Sequence, residues 1–337
     1  QYLEPIVNTL GTTELHAKEV EPVKLLHGTY QLLRIDMKTT LPNKMKIEGT
    51  IWTDTKGEPL KMYTKMLNQE LYRVSKEEAL AEHEPGKLDL GFDTLVKPEG
   101  SFPKNPHASQ QTGYRVTLQD DDPATVFPSG PSQTVEPIDP HTARLVIRAI
   151  RPTAKDQKKP NPNDPPTRAD LVANRHINSD DPAIQAMAKE AVKDATTNWQ
   201  RAVALERYVH NLMKQADYTQ VFATASEVAK THSGDCSEYA VLLAALGRSL
   251  NIPSRVVVGL VYSKPLGAFG FHMWNEMYIN GTWVPMDATL GQGGIGTGHL
   301  KLGHTPLENG LADPIFFTLP KVLGKLKIQI EEGRTPH

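Results

Sequence analysis

The 337-residue chain contains one cysteine, Cys236, in the run Ser-Gly-Asp-Cys-Ser-Glu-Tyr-Ala from Ser233 to Ala240. A lone thiol has no intramolecular disulfide partner and cannot build a cysteine zinc cage. It is left as a buried filler, an inert surface group or a nucleophile, and Cys is among the residue types most often buried. An apolar helix starts at this point, so Cys236 falls in its first turn, with Ser233 or Asp235 as candidate N-cap. Unpaired backbone N–H groups and the positive end of the helix dipole converge there, which stabilises a thiolate and should bring the thiol below its ordinary pKa of about 8.5. The same N–H groups suit the oxyanion of a tetrahedral intermediate. Gly234 lets a substrate backbone approach closely.

A base for this thiol follows from hairpin geometry. Asn280-Gly281 separates two alternating segments and predicts a two-residue type I′ turn. Ile279 then faces Thr282, Asp287 faces Trp274 and His272 faces Thr289. Side chains alternate with period two, so His272 and Asp287 emerge on one face as a diagonal pair about 5–8 Å apart at Cβ. One residue of slip would put them on opposite faces. Thiol, imidazole and orienting carboxylate together are the set needed for acyl transfer through a thioester. Singly, His272 reads as a hydrogen-bonded strand histidine and Asp287 as a turn cap.

The elements that must position these residues divide by periodicity. Before residue 150 the pattern is mainly strands: Gly28 to Asp36, Lys44 to Trp52, Leu60 to Met66, Gly113 to Gln119 and Arg144 to Ile150. Ser75 to Glu82 reads as one short helix with a capping box. Asp120-Asp121-Asp122-Pro123 reads as a solvated turn rather than a calcium loop. Residues 151–168 hold five prolines and no apolar periodicity, and read as an exposed linker between a β-rich domain (1–150) and a second domain (169–337). In the second, helical patterns run from Ala183 to Ala195, with Pro182 at the first helical position, from Trp199 to Met213 and from Cys236 to Leu250. Strands follow at Arg255 to Tyr262, His272 to Ile279 and Thr282 to Met286. Helices followed by antiparallel strands make an α+β domain.

Three blocks resemble the transglutaminase-like superfamily of papain-fold cysteine enzymes: Gly234-Asp235-Cys236-Ser237-Glu238-Tyr239-Ala240, Ile252-Pro253-Ser254-Arg255-Val256, and His272-Met273-Trp274-Asn275-Glu276 running on to Trp283-Val284-Pro285-Met286-Asp287-Ala288-Thr289. The resemblance covers about Trp199 to Lys301. It implies an α+β core in which the cysteine helix packs on an antiparallel sheet, preceded here by a β-rich domain. It also implies a nucleophile at Cys236, a base at His272 and an orienting acid at Asp287. The family's further oxyanion donor lies upstream of the cysteine; Tyr218 is the candidate and Trp199 its rival. Many bacterial members are exported, which agrees with a chain that opens on Gln1 rather than Met. The animal members need calcium, but no matching loop is present, so no metal or cofactor is expected.

The reading is therefore a thiol hydrolase or acyltransferase acting on a peptide or protein, a cysteine protease or transglutaminase-like enzyme. Hydrolysis is favoured over cross-linking because nothing suggests a dedicated amine site. The alternative is a binding or scaffolding protein that keeps the fold without turnover, its first domain docking a protein partner. A metal site of His272, Asp287 and His299 or His304 has no supporting H-x-x-x-H helix, and both latter histidines are expected to cap or flank a strand, Gly298 to Gly303. Trp274 and Trp283 are candidate walls of a substrate groove, with cross-strand packing as the simpler role. The glycine-rich run Gly291 to Gly298 lacks the lysine and strand–helix context of a phosphate loop and is expected to form a flexible rim. A net charge of −2 gives no reason to expect nucleic acid, and no apolar run approaches the roughly 18 residues of a membrane span.

Overall fold

Period-two alternation between residues 2 and 72 produces an antiparallel meander. The computed structural model describes residues 2–4, 9–40, 46–64, 69–76, 95–102, 104–151, 164–213, 223–310 and 313–331. Strands β1 (Tyr2–Glu4), β2 (Thr9–Leu25), β3 (Gly28–Thr40), β4 (Lys46–Thr53), β5 (Pro59–Thr64) and β6 (Gln69–Tyr72) pair in chain order in one six-stranded sheet. They belong to a compact unit of residues 1–87. Among the described residues its buried polar positions are threonines (Thr39, Thr50, Thr53, Thr64), beside Val23 and Leu32. Polar ties add to this packing: the Trp52 indole donates to Glu21 at 2.7 Å, and Lys61 sits 5.3 Å above the Trp52 ring. Of the short helix expected at Ser75 to Glu82, residues 77–82 lie outside the described residues.

The second unit comprises residues 88–337, so the break does not fall at the proline-rich run. Strands β7 (Gln111–Leu118), β8 (Gln133–Asp139) and β9 (Thr142–Arg148) join β14 (Leu326–Glu331) in a four-stranded sheet ordered β14-β7-β9-β8. The pairing of β14 with β7 spans some two hundred residues of sequence, and a local reading of period cannot see it. Residues 152–163 of the expected linker lie outside the described residues, but Asp164 just beyond them is docked on Arg255. The acidic run at 120–122 is a turn: Asp122 caps the helical turn Pro123–Val126, while Asp120 and Asp121 pair with Lys325 and Lys321.

The other sheet of this unit holds β10 (Ser254–Ser263), β11 (Ala268–Ile279), β12 (Thr282–Met286) and β13 (His299–Thr305), ordered β12-β11-β10-β13. Four helices accompany it: α1 (Pro182–Ala191), α2 (Asn198–Leu212), α3 (Ala225–Thr231) and α4 (Cys236–Ser249). Asp181 caps α1 with Pro182 at the first position, and Thr197 with Gln200 forms the capping box of α2. Residues 240–246 of α4 are almost fully buried, which explains a sequence with no polar stripe there. Val256, Val258, Met273, Met277, Ile279, Val284 and Met286 share a core with α4. Alternate positions of the strands carry Arg255, His272, Trp274, Glu276 and Trp283 on the other face. Leu260, Phe269, Leu300 and Leu302 form a second core with Tyr114, Val116, Leu145 and Ile328.

Candidate active site

Asn280 (φ 51°) and Gly281 (φ 84°) both take the left-handed conformation of a type I′ turn. The register is the one this turn predicts, with Ile279 opposite Thr282 and Asn275 opposite Met286. Asp287, the next residue, and His272 therefore point the same way. His272 Nε2 donates to Asp287 Oδ2 at 3.0 Å. The nitrogen left over, Nδ1, is the one available to Cys236, whose side chain lies near enough to favour the charged imidazole. Cys236 is half-buried. The structure thus brings Cys236, His272 and Asp287 together.

The start of α4 is built around Asp235. Its carboxylate accepts from the backbone N–H groups of Ser237, at 2.7 Å, and Glu238, and its carbonyl accepts from Tyr239. Glu238 answers by accepting from Asp235 N and from Ala223 N. Burial, followed by the Asp235 charge, pushes the Glu238 carboxyl up to about 7. The cap consumes amides that the sequence reading assigned to an oxyanion. Of the first-turn donors, the N–H of Cys236 itself is the one left to a substrate. Gly234, at φ 146°, is required for a different reason from the one expected: a Cβ there would lie 2.4 Å from Glu238 Cβ. It makes room for the cap.

A fourth polar residue converges on the acid. His299 Nε2 donates to the same Asp287 Oδ2 at 2.9 Å, while Oδ1 accepts from Thr289 N at 2.9 Å and Thr289 Oγ1 at 2.6 Å. Burial opposes charge on Asp287, but the charge and hydrogen bond of His272, with the hydrogen bond of His299, hold its carboxyl well below the usual range. Burial likewise opposes the His272 imidazolium; Asp287 and then Cys236 outweigh it and carry the ring up to about 10. Asp287, His272 and His299 place three ligand-type atoms within 4.8 Å of one another. Metal ligation through both Nε2 atoms would shift each ring proton to Nδ1, and His299 Nδ1 is buried with no acceptor. The donor set therefore fits a hydrogen-bonded carboxylate better than a divalent cation.

Residues 185–288 match the family model of the Transglutaminase-like superfamily, a span that contains Cys236, His272 and Asp287. They form a transglutaminase-like domain. Among solved structures, a candidate cysteine protease from Cytophaga hutchinsonii is similar at 17% identity and TM-score 0.42, covering 66% of this chain and 81% of that one. The periplasmic domain of TgpA from Pseudomonas aeruginosa, bound to ethylmercury, is similar at 15% identity and TM-score 0.33, over 55% of this chain and 92% of that one. No curated protein matches the sequence significantly. No helix among the described residues is long and apolar enough to cross a membrane.

Tyr218 lies outside the described residues, and Trp199 packs against the apolar core. Both proposed groove tryptophans are spent inside the protein. Trp274 stacks beside His272 with ring centroids 6.2 Å apart and covers Gly259, where a Cβ would meet its ring at 2.6 Å. Trp283 lies 3.8 Å from the Arg255 guanidinium carbon and donates its indole N–H to Asp164 O at 2.9 Å. That guanidinium pairs with Glu276 and, in fork geometry, with Asp164, while Lys301 reaches both Glu276 oxygens at 2.7 Å. Two positive and two negative charges cancel in this set, which is buried apart from Asp164. His304 joins it at 3.0 Å from Arg255, away from Asp287. The glycine-rich run is a packed loop, not a rim: residues 293–298 are buried, and a Cβ at Gly294 would sit 2.2 Å from Ile150 O.

Glu206 escapes the sequence reading, and His299 is grouped with His272 and Asp287 there only as a candidate metal ligand. His299 follows Asp287 across the glycine-rich loop, with no periodicity to link them. Glu206 left a legible trace, an acid within the apolar stripe of Ala202, Leu205 and Val209 on α2. Its carboxylate accepts from the N–H groups of Asp287, Gly293 and Gly294, and so anchors the backbone of the acid and of the loop after it. Burial outweighs these bonds and, with the Asp287 charge, pushes Glu206 up to about 7. The folded state therefore holds the Glu206 proton more tightly than the unfolded chain does. Its contribution to stability is full below the ordinary carboxylate value of 4.5 and is lost as pH rises through about 7. Glu206→Gln puts an amide NH2 against a backbone donor. We expect a loss of about 1–3 kcal/mol, with a flatter fall in Tm between about pH 5 and 8, measured by thermal denaturation across that range.

Proposed function

We propose that this protein is a thiol-dependent enzyme that transfers acyl groups from amide bonds of a peptide or protein. The observation that carries this reading is the His272 ring, bonded to Asp287 through Nε2 and facing the Cys236 side chain at the start of α4, which favours its charged form. In the proposed sequence Cys236 gives its proton to His272, and the thiolate adds to the amide carbonyl. The Cys236 N–H meets the resulting oxyanion. The tetrahedral adduct collapses with cleavage of the C–N bond, His272 delivers its proton to the departing nitrogen, and a thioester remains. Water attacks the thioester while His272 takes its proton, releasing a carboxylic acid and restoring the thiol. An amine in place of water would give a new amide. Hydrolysis is the favoured outcome, since nothing in the sequence suggests a dedicated amine site.

Alkylation tests the pairing without knowledge of the substrate. Iodoacetamide should modify Cys236 rapidly in the native protein near neutral pH, and about tenfold or more slowly in His272→Ala. Equal, slow labelling in both proteins would instead favour a scaffold that keeps the fold without turnover. Incubation with glutamine-containing peptides, followed by mass spectrometry for cleavage, ammonia release or cross-links, distinguishes the acceptors.

A further inference from the structure

An ionised carboxylate offers about four acceptor positions, and on Asp287 all four are filled. Thr289 takes Oδ1 twice; His272 and His299 divide Oδ2 at 3.0 and 2.9 Å. His299 lies outside the span matched by the family model, at the first residue of β13. It is 2% exposed, and its Nδ1 has no hydrogen-bond partner. A proton on that nitrogen would be a buried, unsatisfied donor. The ring is thereby fixed as the neutral tautomer with its proton on Nε2, aimed at Asp287.

We infer that His299 is a positioning residue for the proposed thiol chemistry: it occupies half of Asp287 Oδ2, so that one direction only remains open, toward His272 Nε2. With one acceptor direction, the carboxylate holds the His272 ring at a single orientation, and that orientation keeps Nδ1 on Cys236. His299 is itself held in place. Trp274 lies edge-on to it with centroids 5.1 Å apart, and the His107 ring, 5.6 Å away, is tied to Tyr262 O through its own Nε2. The titratable groups facing His299 are Asp287, His272 and His107; burial, then the two imidazoles, disfavour its charged form, although Asp287 opposes this. Cys236, Asp287 and His299 face His272, and Glu206 lies beyond Asp287 on the backbone side.

The inference rests on the proposed roles of Cys236, His272 and Asp287, and its test separates the two. Full-length wild type, His272→Ala, His299→Phe and His299→Gln are compared by iodoacetamide rate at pH 7 and by NMR of 15N-histidine-labelled protein. Phenylalanine keeps a flat ring but donates nothing. Glutamine restores an N–H donor without a titrating ring. Alkylation in His299→Phe is expected to slow about tenfold, with displacement of the downfield His272 Nε2–H resonance, and in His299→Gln to stay within about threefold of wild type. A filler role would leave that resonance where it is. An unchanged rate and resonance in His299→Phe, or a glutamine variant as slow as the phenylalanine one, would overturn the inference. Should His299→Phe fail to fold, the glutamine variant and the wild-type tautomer decide: a wild-type His299 protonated on Nδ1 also refutes it. If His272→Ala alkylates like wild type, the parent reading fails instead.

Discussion

Cys236→Ala is expected to lose covalent turnover by about four orders of magnitude or more, the usual result of deleting a nucleophile, while the protein stays folded. The substitution exchanges a small side chain for a smaller one at the first position of α4, where alanine is well tolerated. The thiol is half-buried, and the cap around it is made by Asp235 and Glu238, neither of which uses the sulfur. Far-UV circular dichroism and thermal midpoint should therefore match wild type while peptide turnover vanishes. Turnover within a few-fold of wild type would remove Cys236 from the chemistry altogether.

Asp287→Asn is expected to lower the rate by about 10⁴-fold with little change in substrate binding, as replacement of a buried triad acid by its amide does elsewhere. Four donors surround this side chain: two from Thr289 and two imidazole N–H groups. An asparagine presents one oxygen and one NH2, so whichever end carries the NH2 meets donors. If that end faces the histidines, His272 must turn its lone pair toward the amide and move its proton to Nδ1, where it can no longer accept from the thiol. The charge that carries the ring up to about 10 is lost as well. Steady-state kinetics on a cleaved peptide would check this; a rate loss below about tenfold would show that the carboxylate has no share in the reaction.

The parts legible in sequence were those set by short-range rules. A two-residue turn fixes register, so Asn280-Gly281 placed His272 and Asp287 on one face without coordinates. The helices around Pro182, Trp199 and Cys236 were legible through caps and a period near four, and β12 began and ended where expected. What stayed hidden depends on distance along the chain. Helix α3 is seven residues long, too short for its period to register. The partner of β7 lies near residue 328, which is why the break between units was expected at the prolines. His299 and Glu206 reach Asp287 from a different strand and a different helix. Glycines 294, 296 and 298 look like a flexible tract in one dimension, yet each faces a backbone or ring that leaves no space for a Cβ.

The pairing of β14 with β7 also sets a schedule for biosynthesis. Strand β7 leaves the ribosome early, but its edge has no partner until residues 326–331 follow. Cys236, His272 and Asp287 are all translated before that strand, in a unit whose second core still lacks Ile328 and Ile330. Slow, long-range closure of this kind delays folding until nearly the whole unit has been synthesised. A nascent chain would thus carry its thiol through the synthesis of about ninety further residues without a settled scaffold around it, and a stop codon ahead of residue 326 would leave an open strand edge prone to aggregation.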